Sequence, residues 1–207
     1  IRCKGRNAPS HSPARGVSAI QGLLHVIAGC EGAPGALRDA AGELLGLMGE
    51  QPDGAAMGIR CADDVSGELT TNLGMLSLND GMLTAKLDVR APVTVSLDDV
   101  AAKVKDAFAG QGYHCAGEHL KRPLYVPAAS SFIQTLCRVY ETVAGEEAVL
   151  SAIGGGTYAR AFPNCVCFGS VYPKEELTVH SPNERTLRAN IIKNTIMYGY
   201  AIHELTD

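Results

Sequence analysis

Apolar residues recur at helical spacing early in the chain, where Ile20, Leu23, Leu24 and Ile27 predict a helix over 17–30, stopped by Gly29 and Gly32. A second stripe, Leu37, Ala41, Leu44, Leu45 and Met48, predicts another over 37–48. The period then shortens to two. Alternating residues over 69–78 and 82–89 flank Asn79-Asp80-Gly81, the pattern of a β-hairpin whose turn demands the positive φ that glycine accepts. Ser96 is placed to cap a helix over 97–108, with Asp98 and Asp99 in its first turn and Gly110 and Gly112 beyond its end. Residues 1–5 and 113–119 read as flanking strands, and 7–15 as a polar, proline-containing loop.

Strand, helix, helix, hairpin, helix, strand is an α+β order close to a ferredoxin-like β-α-β-β-α-β sandwich. The pattern breaks at Lys121-Arg122-Pro123, which places a division between residues 1–119 and 120–207. The second part predicts a helix over 130–143, strands over 149–153 and 165–170 around a glycine-rich loop, and a long helix over 187–205. Two short strands make a poor core, so this part reads as completing a larger α/β sheet whose other strands lie elsewhere.

With 46% apolar and 19% charged residues, the 207-residue chain can bury a core. A net charge of −4 and the lack of basic runs interleaved with aromatics give no reason to expect nucleic acid. No stretch reaches the roughly 18 apolar residues of a membrane span, so no membrane partner is expected. Seven cysteines without a CxxC pair read as reduced core thiols of a cytoplasmic protein. The opening Ile1-Arg2-Cys3-Lys4, without an initiator Met, looks like the middle of a strand.

Chemistry concentrates late in the chain. Gly154, Gly155 and Gly156, followed by Thr157 and Arg160, let a backbone approach a ligand and turn its N–H groups toward negative charge, or form a tight turn between packed elements. The spacing matches neither a Walker loop nor a dinucleotide fingerprint, which weakens a nucleotide-phosphate reading. His180, in His-Ser-Pro-Asn-Glu ahead of the last helix, can ligate a metal through one nitrogen while its other N–H is held by a neighbour, or serve as an ordinary structural histidine.

Pro123-Leu124-Tyr125-Val126-Pro127, the loop through Arg160, Cys167-Phe168-Gly169 and His180 to Glu184 together resemble, in order, the C-terminal part of the M20 metallopeptidases. Within that family they are most similar to the dizinc dipeptidases of the PepV and Sapep type. More loosely, Gly5 to Gly16 resembles the lid segment Gly-x-x-Ala-His-x-Ser-x-Pro-x-x-Gly, and Leu87 to Pro92 resembles the lid strand that carries a substrate-binding arginine.

The resemblance implies a lid over 1–119 and the C-terminal segment of a catalytic domain over 120–207. It implies His180 as a ligand of one of two zinc ions, with Mn²⁺ or Co²⁺ as alternatives, and Arg90 as a clamp on the substrate's terminal carboxylate. Gly155, Gly156 and Thr157 would line the same pocket, with Arg160 either lining it or salt-bridging outside it. The lid histidine's place is taken by Pro9 in an ungapped alignment; His11, two residues later, is the candidate substitute.

A dizinc mechanism needs metals about 3.5–4 Å apart, a bridging carboxylate and a glutamate base, and no His-x-Asp occurs in these residues. The expectation is therefore a fragment of a zinc-dependent dipeptidase that acts on short peptides and is inactive until joined by a missing N-terminal catalytic segment. The alternative is a non-catalytic ligand-binding or dimerisation module of the same origin, forming a homodimer through its hairpin half.

Overall fold

The computed structural model describes every residue except 9–11, 154, 170, 174, 177, 180–182 and 207. The chain divides into two compact units, Ile1–Arg122 with Ala152–Gly155, and Pro123–Ser151 with Gly156–Asp207. Helices and small antiparallel sheets make a mixed fold.

In the first unit, α1 (Ala19–Ala28) begins where the Ser18 hydroxyl accepts from the Gln21 amide at 3.2 Å, satisfying a donor that the first helical turn leaves open. α2 (Gly35–Met48) follows Pro34, whose fixed φ suits entry into a helix. Two short strands, β1 (Ala62–Asp63) and β2 (Gly67–Glu68), pair antiparallel. The main hairpin joins β3 (Thr70–Asn79) to β4 (Met82–Arg90) through Asp80 and Gly81, with φ of 50° and 81°. α3 (Leu97–Ala109) is capped by Ser96, whose hydroxyl accepts from the Asp99 amide at 3.2 Å.

A bulge decides which face of the hairpin is buried. The pairing shifts between Leu73 and Met75, leaving Gly74 as an extra residue in β3. Inward positions therefore switch from odd (Leu69, Thr71, Leu73) to even (Leu76), and apolar side chains stay on the helix-covered face along the strand. Leu24, Ala41, Leu44, Met48 and Leu73 form one buried cluster, and Leu47, Met57, Ile59, Leu69 and Val100 a second.

The expected flanking strands differ. Among the described residues, 1–5 and 113–119 join no ladder; Arg6 bridges Val17, with both N–H···O bonds made at 2.9–3.0 Å. After Tyr113 the segment is exposed and carries His114, Gly117 and Glu118, so it offers no apolar face to pack. The Arg6–Val17 bridge also explains two glycines. A Cβ on Gly5 would lie 2.3 Å from the Val17 carbonyl oxygen, and one on Gly16 2.8 Å from that of Arg6.

The second unit packs α4 (Ser131–Ala144) against α5 (Arg188–Thr206) around Leu136, Val139, Tyr172, Met197 and Ala201. Segments 149–153 and 165–169 form no ladder among the described residues, contrary to expectation, and Val149, Leu150 and Ile153 are exposed. A strand needs a neighbour for its backbone donors and acceptors, and none of the described residues supplies one. α5 buries Asn190, Met197 and Ala201 on one face yet exposes Ile191, Ile192, Ile196 and Ile202 on others. No helix is long and apolar enough to cross a membrane among the described residues.

The seven cysteines are free thiols. None belongs to the fully buried core, which is built instead from Leu, Ile, Val, Met and Ala with one Tyr; Cys115 and Cys167 are exposed. Burial pushes the Cys61 and Cys137 thiols up, which keeps them protonated and unreactive at neutral pH.

Candidate functional site

Arg90 is the last residue of β4. Side chains alternate faces along a strand, so Leu87 and Val89 enter the core while Asp88 and Arg90 share the opposite face. Directly across the hairpin stand Asn72, opposite Asp88, and Thr70, opposite Arg90. All four are half-buried. One guanidinium nitrogen, Nη2 of Arg90, donates to Oδ2 of Asp88 at 2.8 Å. The open end of the hairpin thus carries a small polar platform on the face opposite its apolar one.

The chain leaving this platform is tied down by Asp63. Its Oδ1 accepts from the Val65 amide at 3.0 Å and from the Ser66 amide and hydroxyl. Its Oδ2 accepts from the Thr94 amide at 3.1 Å and hydroxyl at 3.0 Å, while the Ser66 hydroxyl accepts from the Val93 amide at 2.9 Å. These bonds, the Ser66 amide foremost, hold the Asp63 carboxyl well below the usual carboxylate range. The turn between β1 and β2 therefore anchors residues 93–94, just past Arg90-Ala91-Pro92.

In the glycine-rich loop, Gly155 is half-buried and Gly156 and Thr157 are exposed. Neither described glycine has positive φ. A Cβ on Gly155 would meet nothing nearer than Ile153 Cδ1 at 4.0 Å, and one on Gly156 nothing nearer than Arg160 Nη1 at 4.0 Å. Packing among the described residues thus gives no reason for glycine at either position. Thr157 precedes a 3-10 turn over Tyr158–Ala161, its carbonyl accepting from the Arg160 amide at 3.3 Å; its hydroxyl makes no capping bond. Gly156 and Arg160 are therefore neighbours in the second unit, whereas Arg90 belongs to the first.

His11 and His180, the candidate lid histidine and metal ligand, lie outside the described residues, as does Gly154. The flanks of His180 are described. The Thr178 hydroxyl both donates to the Arg185 carbonyl and accepts from the Arg185 amide, and the Arg185 guanidinium pairs with Glu176. Asn190 donates to Glu175, the Tyr172 hydroxyl donates to Asn194 Oδ1 at 2.7 Å, and the Tyr198 hydroxyl donates to the Gly169 carbonyl at 2.7 Å. Side chains of α5 thus hold Gly169, Tyr172 and Glu175. A cleft of about 400 Å³ opens there, lined among others by Glu175, Thr178, Glu184, Asn194 and Tyr198. Glu146 and Glu147 are exposed, as solvated carboxylates should be, but Glu175 is half-buried and bonded.

Three residues of structural weight escaped the sequence reading. Asp88 was accessible from its i, i+2 relation to Arg90 on a strand, and Asp63 from its Asp-x-x-Ser turn signature. Thr178 had no local signal, because its partner lies seven residues away.

No group of three or more His, Cys, Asp or Glu among the described residues is arranged to hold a metal ion. The described residues therefore do not by themselves fit a zinc centre.

No family model matches the chain. It is 30% identical over 211 aligned positions to "Putative dipeptidase YtjP" of Bacillus subtilis, covering 99% of this chain and 44% of that protein. It is 32% identical over 154 positions to "Beta-Ala-Xaa dipeptidase" of Lactobacillus delbrueckii subsp. lactis, covering 74% of this chain and 33% of that protein. A "Putative dipeptidase" of Staphylococcus epidermidis matches at 27% over 210 positions, again 44% of its length. The chain thus spans less than half the length of these relatives.

Proposed function

We propose that the chain is part of a cytoplasmic, zinc-dependent dipeptidase of the M20 type that hydrolyses short peptides. Similarity to proteins named dipeptidases over nearly all of its length supports a peptide-hydrolysing role. The observation that carries the reading is Arg90, a half-buried guanidinium on the hairpin face turned away from the core. A guanidinium there suits a substrate carboxylate, which its planar fork can grip with two hydrogen bonds.

In this reading residues 1–119 form the lid, with the ferredoxin-like order completed when the flanking strands find partners. Gly155, Gly156 and Thr157 offer backbone donors to the bound peptide, Arg160 lines the same pocket, and His11 takes the lid histidine's role. His180 is one ligand of a zinc centre whose remaining ligands come from polypeptide beyond the described residues. The described residues supply recognition, so residues 1–207 alone are inactive. The exposed isoleucines of α5 and the unpaired 149–153 segment support a covering partner, since a helix apolar on several faces is normally buried on several faces. That partner is the N-terminal catalytic segment.

The test is a dipeptide panel assayed with the complete gene product, before and after chelation and on readdition of Zn²⁺ or Mn²⁺. Hydrolysis lost on chelation and restored by metal is expected. Metal-independent hydrolysis, or none of any peptide, amide or acylated amino acid, overturns the proposal. The rival reading, a non-catalytic binding or dimerisation module, draws on the same exposed faces. It would show as a stable dimer of residues 1–207 by sedimentation and a complete gene product without metal-dependent hydrolysis.

A further inference from the structure

We propose that Asp88 is a positioning residue that sets the orientation in which Arg90 receives a substrate carboxylate; the inference rests on the reading of Arg90 given above. Residues 88 and 90 are same-face neighbours on β4, and Oδ2 of Asp88 accepts from Nη2 of Arg90 at 2.8 Å. Across the hairpin these two face Asn72 and Thr70, which carry no charge to compete for either partner. A long, flexible side chain that grips a ligand loses rotamer freedom on doing so. Pairing with Asp88 moves that loss into folding, so the guanidinium meets its ligand already ordered.

The geometry of the contact fits this role. The contact is made through Nη2, at the end of the guanidinium, and so fixes the direction of the planar fork. The side chains of Arg90 and Asp88 are 34% and 37% exposed, which places the pair between a surface ion pair and a buried one and keeps its effect modest. The opposite outcome is also physically defined. If Asp88 instead occupies the guanidinium as a stand-in for the substrate, removing it would tighten binding.

The experiment compares a dipeptide bearing a free terminal carboxylate with the same dipeptide amidated, using the complete gene product and its Asp88→Ala, Asp88→Asn and Arg90→Ala variants. Asp88→Ala should raise KM for the free carboxylate about three- to fivefold, as expected for losing a half-exposed ion pair, and leave kcat and the KM of the amide unchanged. Asp88→Asn, which keeps an acceptor oxygen and the same shape, should fall between wild type and Asp88→Ala, and it serves alone if the alanine variant misfolds. Calorimetric binding of the two peptides reads the same differences as Kd.

An unchanged or lowered KM for the free carboxylate overturns the inference, as does an equal rise for both peptides. Discrimination lost in Arg90→Ala but intact in Asp88→Ala removes Asp88 and leaves the Arg90 reading standing. An Arg90→Ala variant that treats the two peptides as wild type does removes both.

Discussion

The Thr178 hydroxyl and the backbone of Arg185 form a two-bond clasp, one donated to the carbonyl and one accepted from the amide, each at 3.0 Å. Thr178 is 8% exposed, so these bonds satisfy two backbone groups that no helix or ladder serves. They also close the stretch of sequence that contains His180. Thr178→Val keeps the shape and removes both bonds, and should destabilise the second unit by about 1–3 kcal/mol, the cost of leaving buried backbone groups unpaired. Thr178→Ser should recover most of that loss. Urea unfolding followed by circular dichroism measures the difference, and a valine variant as stable as wild type would show that the clasp contributes nothing.

Thr71 has the reverse problem. It is 1% exposed, and its hydroxyl has no hydrogen-bond partner among the described residues, although its amide donates to the Pro52 carbonyl at 2.8 Å. An unpaired buried hydroxyl costs free energy that an apolar group of the same outline does not. Thr71→Val should therefore stabilise the first unit, by about 1 kcal/mol. The midpoint of urea unfolding should rise without a change in slope. A lowered midpoint would mean that the hydroxyl is satisfied after all, by water or by another part of the protein.

Tyr113 donates its hydroxyl proton to Glu43 Oε2 at 2.9 Å, joining the segment after α3 to α2. Burial first, and then this bond, push its phenol up to about 12. The folded value lies above the ordinary value of about 10. The contribution to stability is therefore complete below about pH 10 and disappears as pH rises toward about 12. Thermal melts across this window should fall more steeply for wild type than for Tyr113→Phe, which has no such proton to lose. Parallel curves for the two proteins would contradict this.

Helices and the main hairpin were legible because their signals are local. Ser18, Ser96 and Ser130 each accept from the amide three residues on, and Asp80-Gly81 takes the positive φ of its turn. The bulge at Gly74 hid behind an apparently regular alternation, since Leu69, Leu73, Leu76 and Leu78 change parity partway. The strands expected over 1–5, 113–119, 149–153 and 165–170 rested on side chains alone. Strand formation depends on a neighbour's backbone, and side-chain pattern does not disclose whether one is within reach. For the candidate site, Arg90 came from the resemblance of Leu87 to Pro92 to a family segment; the alternation over 82–89 stopped one residue short of it, and it is the last residue of β4. The Asp63 anchor on Thr94 was not legible, because it joins residues 31 apart in sequence.

Gly156 offers a sharper test of function than the charged residues do, because fold and ligand make opposite demands on it. It is exposed, its φ is not in the left-handed region, and among the described residues an added methyl would meet nothing nearer than Arg160 Nη1 at 4.0 Å. Gly156→Ala should therefore fold normally, and gain about 0.4–1 kcal/mol from the reduced freedom of its unfolded chain. If the loop presents its backbone N–H groups to a bound peptide, the same methyl stands between donor and ligand. A misplacement of that size should lower kcat/KM by on the order of tenfold or more. Thermal melts and steady-state kinetics on one preparation of the complete gene product separate the two effects. Normal stability with depressed kcat/KM is the expected pair. Loss of stability would make the glycine a requirement of the fold, and unchanged kinetics would mean that the loop lines no binding pocket.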